Sequence, residues 1–256
     1  MKKLTYKFFF GLIMSLLISS NIYGAQKVQT ITLIGDDAYP PYSYLSNKAP
    51  AGVYVDVIRM IFSKIPEYDV KIKLYPWKRD VNMIKFGKAM GFFPPYFIKN
   101  RTSWITYSEP ILGETVVVYA RDKDILSKKN WPEDFYGLSV CLNDGFSLEG
   151  LGGEKFKKAV GEKKIKLNRG RSNEACLKQV QKKSSDLYIN EKLISLPAFY
   201  SVKRGIAVKV NQGYLGFTKK TDNFPNADDV RVKFNNILLE MQKNGEIDKI
   251  IQKYLE

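Results

Sequence analysis

Histidine is absent from all 256 residues. Its absence removes the commonest general base near neutral pH, the Ser-His-Asp and Cys-His nucleophile systems and the usual zinc ligand sets. Catalysis, if there is any, must rest on Glu, Asp, Lys or Tyr, and no metal or cofactor is expected. Cysteine is scarce: the chain has two, Cys141 and Cys176, too far apart for a Cys-x-x-Cys redox pair. An oxidising compartment makes a disulfide between them the expectation, with two buried free thiols as the alternative. Acidic residues are outnumbered, 26 against 41 basic ones. Apolar runs are short, the longest (residues 8–18) falling well below the length that spans a bilayer.

That run belongs to a tripartite export signal over residues 1–25: Lys2, Lys3 and Lys7, the apolar stretch, then small and polar residues ending at Gly24 and Ala25. Cleavage after either fits, and a periplasmic location is expected. No cysteine stands there to carry a lipid. The overall charge of +15 includes those three lysines, and the remaining excess is scattered in pairs along amphipathic segments. Solvated faces explain such a pattern, and an exported chain has no nucleic acid to meet.

Periodicity predicts alternating strands and helices. Residues 29–35 read as a strand ending in Asp36-Asp37-Ala38-Tyr39-Pro40-Pro41-Tyr42, a stiffened loop of the kind that borders ligands in open α/β sheets. Tyr39 there is either a pocket aromatic or a core filler. A helix over 52–65, a half-exposed strand over 70–74, a helix from Trp77 to Gly87 and a short strand over 90–93 follow. The order predicts a mostly parallel sheet with helices on its faces.

A second alternation runs from residue 138 to 189, with strands at 138–142, 165–168 and 186–189. Helices follow the first two, one ending near Val160 and the other over 173–183, with Asn173 as its N-cap. Residues 214–218 read as a strand and 228–244 as a helix with Val230, Phe234, Ile237, Leu238 and Met241 on one face. The chain thus crosses between two halves twice, near 115–120 and 206–210, and two extended strands there make a hinge. Signal peptide 1–25, lobe 1 over 26–118 and 211–256, and lobe 2 over 119–210 is the expected organisation. In lobe 1, ahead of the first crossing, stands Arg101, whose planar guanidinium fits a carboxylate bidentately; the alternative is a surface loop residue.

The chain resembles the family 3 extracytoplasmic solute-binding proteins, the periplasmic proteins of polar amino-acid uptake. Asp37-Ala38-Tyr39-Pro40-Pro41-Tyr42 carries the resemblance together with Gly52-Val53-Tyr54-Val55-Asp56 and Arg101 six residues before Tyr107-Ser108-Glu109-Pro110. The segments 138–145, 213–220 and 241–245 add to it, so it covers essentially the whole mature chain. It implies a type II periplasmic-binding-protein fold, α/β, with two mixed, mostly parallel sheets joined by a two-strand hinge. It also implies a small amino-acid-like or carboxylate solute held between the lobes, an inner-membrane ABC permease as partner, and a monomer. By the same resemblance Arg101 grips the solute carboxylate and Glu191 takes its ammonium. Tyr39 flanks the solute side chain, and Phe146 and Ser147 lie at the lobe-two helix N-terminus; Phe93, Tyr96 and Arg79 are further candidate ligand-binding residues. The chain departs from the pattern at Phe92-Phe93-Pro94-Pro95-Tyr96, at Ala89-Met90-Gly91 and at Trp77-Lys78-Arg79, which favours an aromatic or apolar small acid over a cationic solute. Two alternatives go with the same scaffold: an exported dehydratase-like enzyme working through a carboxylate, and a sensory protein read by a membrane receptor.

Overall fold

The structure is a computed structural model that describes residues 28–254; the export signal expected over residues 1–25 lies outside them. The first strand, β1 (Gln29–Asp36), is followed by a small antiparallel sheet of β2 (Ala38–Tyr39), β3 (Ser43–Ser46) and β4 (Ala49–Ala51). Periodicity gave no sign of that sheet, because its strands are two to four residues long. It ends at Gly52, whose φ of 118° places a Cβ 2.5 Å from the Tyr42 carbonyl oxygen, so only glycine fits the turn into α1 (Val53–Ser63). The core-facing side of α1 is Tyr54, Val55, Val57, Ile58, Ile61 and Phe62, all buried.

β5 (Tyr68–Tyr75), α2 (Trp77–Lys85), β6 (Gly91–Phe93) and β7 (Ile105–Tyr107) complete the N-terminal run. β5 is an edge strand whose Lys71 and Lys73 point to water while Ile72 and Leu74 turn inward. The chain then crosses on β8 (Leu112–Ala120) and passes through α3 (Lys123–Ser127), β9 (Ser139–Asn143), α4 (Leu148–Gly161), β10 (Lys166–Gly170), α5 (Asn173–Gln181) and β11 (Leu187–Glu191). It returns on β12 (Lys203–Gly213) and ends with β13 (Gly216–Thr218), α6 (Ala227–Lys243) and α7 (Glu246–Gln252).

Two five-stranded sheets result, ordered β5-β1-β6-β13-β7 and β10-β9-β11-β8-β12. In each, three neighbouring strands are parallel and the fourth, which arrives from the other half of the sequence path, is antiparallel to both of its neighbours. This is the two-lobed periplasmic-binding-protein architecture. The crossing strands pair with each other from Leu112↔Gly213 to Lys203↔Ala120, so the hinge is a hydrogen-bonded ladder. Both belong to the second sheet along their length, beyond the 119 and 210 limits expected from sequence.

Cys141 and Cys176 are disulfide-bonded, joining β9 to α5 across 35 residues. The expected N-cap Asn173 is not the cap of α5: the Ser172 hydroxyl accepts from Ala175 N–H at 3.2 Å. Asn173 points inward instead, where its side-chain oxygen accepts from Asn143, Tyr188 and Asn190 at 2.8 to 2.9 Å. The strand expected over 214–218 begins at Gly216, because Tyr214 N–H goes out of the ladder to the Pro95 carbonyl.

Candidate functional site

A cleft of about 370 Å³ opens between the sheets. Lobe 1 supplies Asp36, Tyr39, Trp77, Tyr96 and Arg101, and the loop after β9 with the start of α4 supplies Phe146, Ser147 and Gly150. Strand ends place them: Asp36 closes β1, Trp77 opens α2, and Pro94 to Ile98 leave β6. Of the residues expected from sequence, Arg101, Tyr39, Tyr96, Phe146 and Ser147 come together in this one cleft.

Arg101 sits in a 3₁₀ turn (Lys99–Ser103) and keeps only 9 % of its surface exposed. Its guanidinium lies 5.8 Å from the Trp77 ring centroid, beside the Tyr107 hydroxyl. Among the described residues no ion pair includes Arg101. Burial weakens its hold on the proton, lowering its pKa, while Tyr107 and the more distant Glu149 partly restore it. A buried, unpaired cation is costly unless an anion completes it.

Opposite stands the turn Asn143 to Ser147. Arg169 braces it by donating to the carbonyls of Asn143 (2.8 Å) and Phe146 (2.9 Å), and the Ser147 hydroxyl caps Gly150 N–H at 3.1 Å. The helix behind it bends at Gly153 (φ 85°), so the first piece of α4 offers local N–H groups rather than a long aligned dipole. Phe146 meets Tyr39 edge-on at 5.9 Å and Trp77 edge-on at 6.3 Å. Trp77 in turn stacks on Phe92 at 5.2 Å. Trp77 is not among the candidate ligand-binding residues of the sequence, yet an aromatic at a helix N-terminus after a strand is where a cleft wall falls in an α/β sheet.

Behind Tyr39 and Tyr96 lies a group that sequence reasoning missed. Glu114, on β8 and 1 % exposed, accepts from the hydroxyls of Tyr39 (2.6 Å), Tyr96 (2.6 Å) and Tyr54. The Tyr39 and Tyr96 hydroxyls are 3.0 Å apart. Gly213, from β12, makes the cluster possible: a Cβ there would lie 1.7 Å from the Tyr54 oxygen. Burial pushes the Glu114 carboxyl up to about 7 against the three phenol hydrogen bonds that pull it down. Alternation along β8 carried the signal, since Glu114, Val116 and Val118 share one face of a strand that is buried on both sides.

Asp36 is the acid in the cleft wall. One oxygen accepts from Ala38 N–H at 3.0 Å, and burial raises its pKa to about 7, helped by Asp37. Asp80, on α2, is fully buried with neither carboxylate oxygen hydrogen-bonded. Burial and then the charge of Asp36 push it up to about 10, so it is neutral at pH 7.

The structure does not bring Glu191, Phe93 or Arg79 into the cleft lining. Glu191 ends β11 at the hinge, where its carboxylate accepts from the backbone N–H groups of Thr115 (3.2 Å) and Leu193. Each oxygen thus accepts from one backbone donor left over where β11 leaves the ladder, and the Tyr42 hydroxyl adds a further bond. Phe93 is buried in the core against Gly35 and Tyr54. Arg79 is exposed, its guanidinium stacked 4.0 Å over the Tyr75 ring.

A cleft between two lobes, with a buried unpaired cation and aromatic walls, defines a solute-binding architecture. The chain belongs to the bacterial extracellular solute-binding proteins, family 3, whose model matches residues 31–256. Its fold is similar to that of a histidine kinase sensor domain with similarity to periplasmic binding proteins: TM-score 0.73, 18 % identity, 90 % of this chain and 97 % of that one. An ancestral arginine-binding protein bound to arginine matches with TM-score 0.73 and 17 % identity over 89 % and 98 % of the two chains. So does a structure from work on glutathione import through GshT and the cystine ABC importer of Streptococcus mutans: TM-score 0.73, 22 % identity, 89 % and 95 % covered. No curated protein matches.

Proposed function

We propose that this protein captures a small carboxylate-bearing solute between its lobes in the periplasm and delivers it to an inner-membrane ABC permease. One observation carries this: Arg101 is a nearly buried guanidinium in the interlobe cleft with no ion-pair partner among the described residues. A solute carboxylate supplies the missing anion in bidentate geometry, aided by N–H groups beside Ser147. Tyr39, Trp77, Tyr96 and Phe146 offer ring surface to an apolar or aromatic body, and Asp36 takes a donor group such as an ammonium. Arg101 and Phe146 reach the cleft from opposite lobes, so solute binds the closed form better than the open one, as a ligand-driven closure requires. The ABC importer proteins among the structural neighbours make a permease the natural partner.

A thermal-shift and calorimetry panel tests this on residues 26–256, comparing L-amino acids with their amides, for example L-phenylalanine with L-phenylalaninamide. A solute at 100 times its dissociation constant adds about 2.7 kcal/mol, a melting shift of roughly 5–10 °C for a chain of this size. Loss of that shift in the amide supports the carboxylate grip, and equal shifts refute it. Asp36 favours a second reading, an enzyme with a carboxylate base in its cleft, because burial poises it near 7. Conversion of a bound solute, followed by NMR over hours, separates the two.

A further inference from the structure

Glu114 does not line the cleft, yet it holds two residues that do. Tyr39, from β2, and Tyr96, from the segment after β6, are cleft walls, and both turn their hydroxyls onto one oxygen of this carboxylate. Tyr54, from α1, occupies the other oxygen. Glu114 itself sits on β8, opposite Asn211 of β12, in the ladder about which the lobes turn. Three segments of lobe 1 are therefore pinned to a single side chain of the hinge.

We propose that Glu114 is a positioning residue of the solute cleft: as a carboxylate it fixes the Tyr39 and Tyr96 walls, protonated it holds them more weakly, and solute affinity falls in acid. The proposal rests on the solute-binding function above and adds to it a means of regulation. Hydrogen-bond accounting gives the reason. An ionised carboxylate only accepts, and its two oxygens satisfy three phenol donors. Once protonated, it carries an O–H of its own that a tyrosine oxygen has to accept. A proton on the oxygen shared by Tyr39 and Tyr96 makes one of them an acceptor, and its own hydrogen turns to the other hydroxyl, 3.0 Å away; two charge-assisted bonds to the carboxylate are thereby replaced by neutral ones of about half the strength. The groups facing Glu114 are Tyr39, Tyr54 and Tyr96, with Glu191 and Tyr42 farther off, and the Glu191 charge favours the protonated form. Burial places the change near pH 7, within reach of an extracytoplasmic compartment.

Calorimetry from pH 5.5 to 8.5 tests this on residues 26–256 as the wild type, Glu114→Gln and Tyr54→Phe. The probe is the tightest binder among the twenty L-amino acids and phenylacetate. In the wild type, affinity falls about tenfold toward acid, within the usual range of coupling between two sites. Tyr54→Phe removes one donor from the carboxylate without touching the cleft walls, so its inflection moves to higher pH. In Glu114→Gln the Glu114 inflection disappears. Asp36 titrates in the same range but is unchanged in all three proteins, so the differences between them report Glu114. Superimposable pH profiles for the three proteins overturn the proposal while leaving solute binding intact. Tyrosine ring NMR supplies the arm that needs no solute: the Tyr39 and Tyr96 resonances titrate together near pH 7 and become pH-independent in Glu114→Gln. Rings insensitive to pH in the wild type overturn the proposal. A panel with no binder, alongside rings that titrate, counts against the solute function alone.

Discussion

Replacing Arg101 by Met separates a ligand-gripping residue from a structural one, because the two roles predict opposite results. Met fills much of the aliphatic volume against Trp77 while removing the charge. Arg101 is 9 % exposed, its pKa is lowered by burial, and among the described residues no ion pair repays that burial. Its removal therefore costs the empty protein little, and the melting temperature is expected to stay within about 2 °C of wild type or to rise, since an unpaired buried charge is itself destabilising. Binding behaves differently. Truncating one partner of a buried, hydrogen-bonded charge pair costs about 2–5 kcal/mol, which is roughly a 30- to 4000-fold loss of affinity. Calorimetric titration and thermal melts of the same preparations measure both quantities. A melting temperature lowered by 5 °C or more with affinity retained would refute the argument and make Arg101 a scaffold residue.

Converting both Cys141 and Cys176 to Ala opens a 35-residue loop and is expected to lower stability by about 4 kcal/mol in the chain-entropy model, with solute preference unchanged. Chemical denaturation checks it. Gly213→Ala drives a methyl into the Tyr54 hydroxyl and is expected to reduce stability by about 1–3 kcal/mol; wild-type melting would show that the cluster has slack. Asp80→Leu replaces two orphaned oxygens with apolar surface and should raise stability at pH 7 by about 1–3 kcal/mol, whereas a loss would reveal a partner for Asp80. Stability should also fall with rising pH. Asp36 and Glu114 have folded pKa values near 7, raised above about 4 in the unfolded chain, so their contribution is complete below pH 4 and is lost as pH climbs through 7. A melting temperature higher at pH 8 than at pH 5 would contradict the assignment.

Much of the fold was legible because its elements announce themselves periodically. The buried face of α6, Val230, Phe234, Leu238 and Met241, follows the helical repeat, and the lysines of β5 mark an edge. The β2–β3–β4 sheet was not legible, since strands of two to four residues carry no period. The site divides in the same way. Arg101 and Tyr39 could be found because resemblance and a strand-end loop pointed to them. Glu191 is of the expected residue type, but what its oxygens do depends on two backbone N–H groups left over at the hinge, a tertiary circumstance. Asp80 escaped notice because nothing local distinguishes a carboxylate that the fold will bury from one that it will leave in water, and Glu114 because its alternation with Val116 and Val118 means burial only once both faces of β8 are known to be covered.

Among the described residues, Phe146 is the one partly buried side chain packed against all three apolar clusters of the molecule. Its contacts with Tyr39 and Trp77 are contacts between lobes, so they form when the cleft shuts. Shutting is therefore a small act of folding, in which aromatic surface leaves water regardless of what the cleft holds. Solute binding should accordingly show a negative heat-capacity change even for a solute with no apolar surface of its own. Phe146→Ala should make that change smaller while leaving the charge recognition at Arg101 in place.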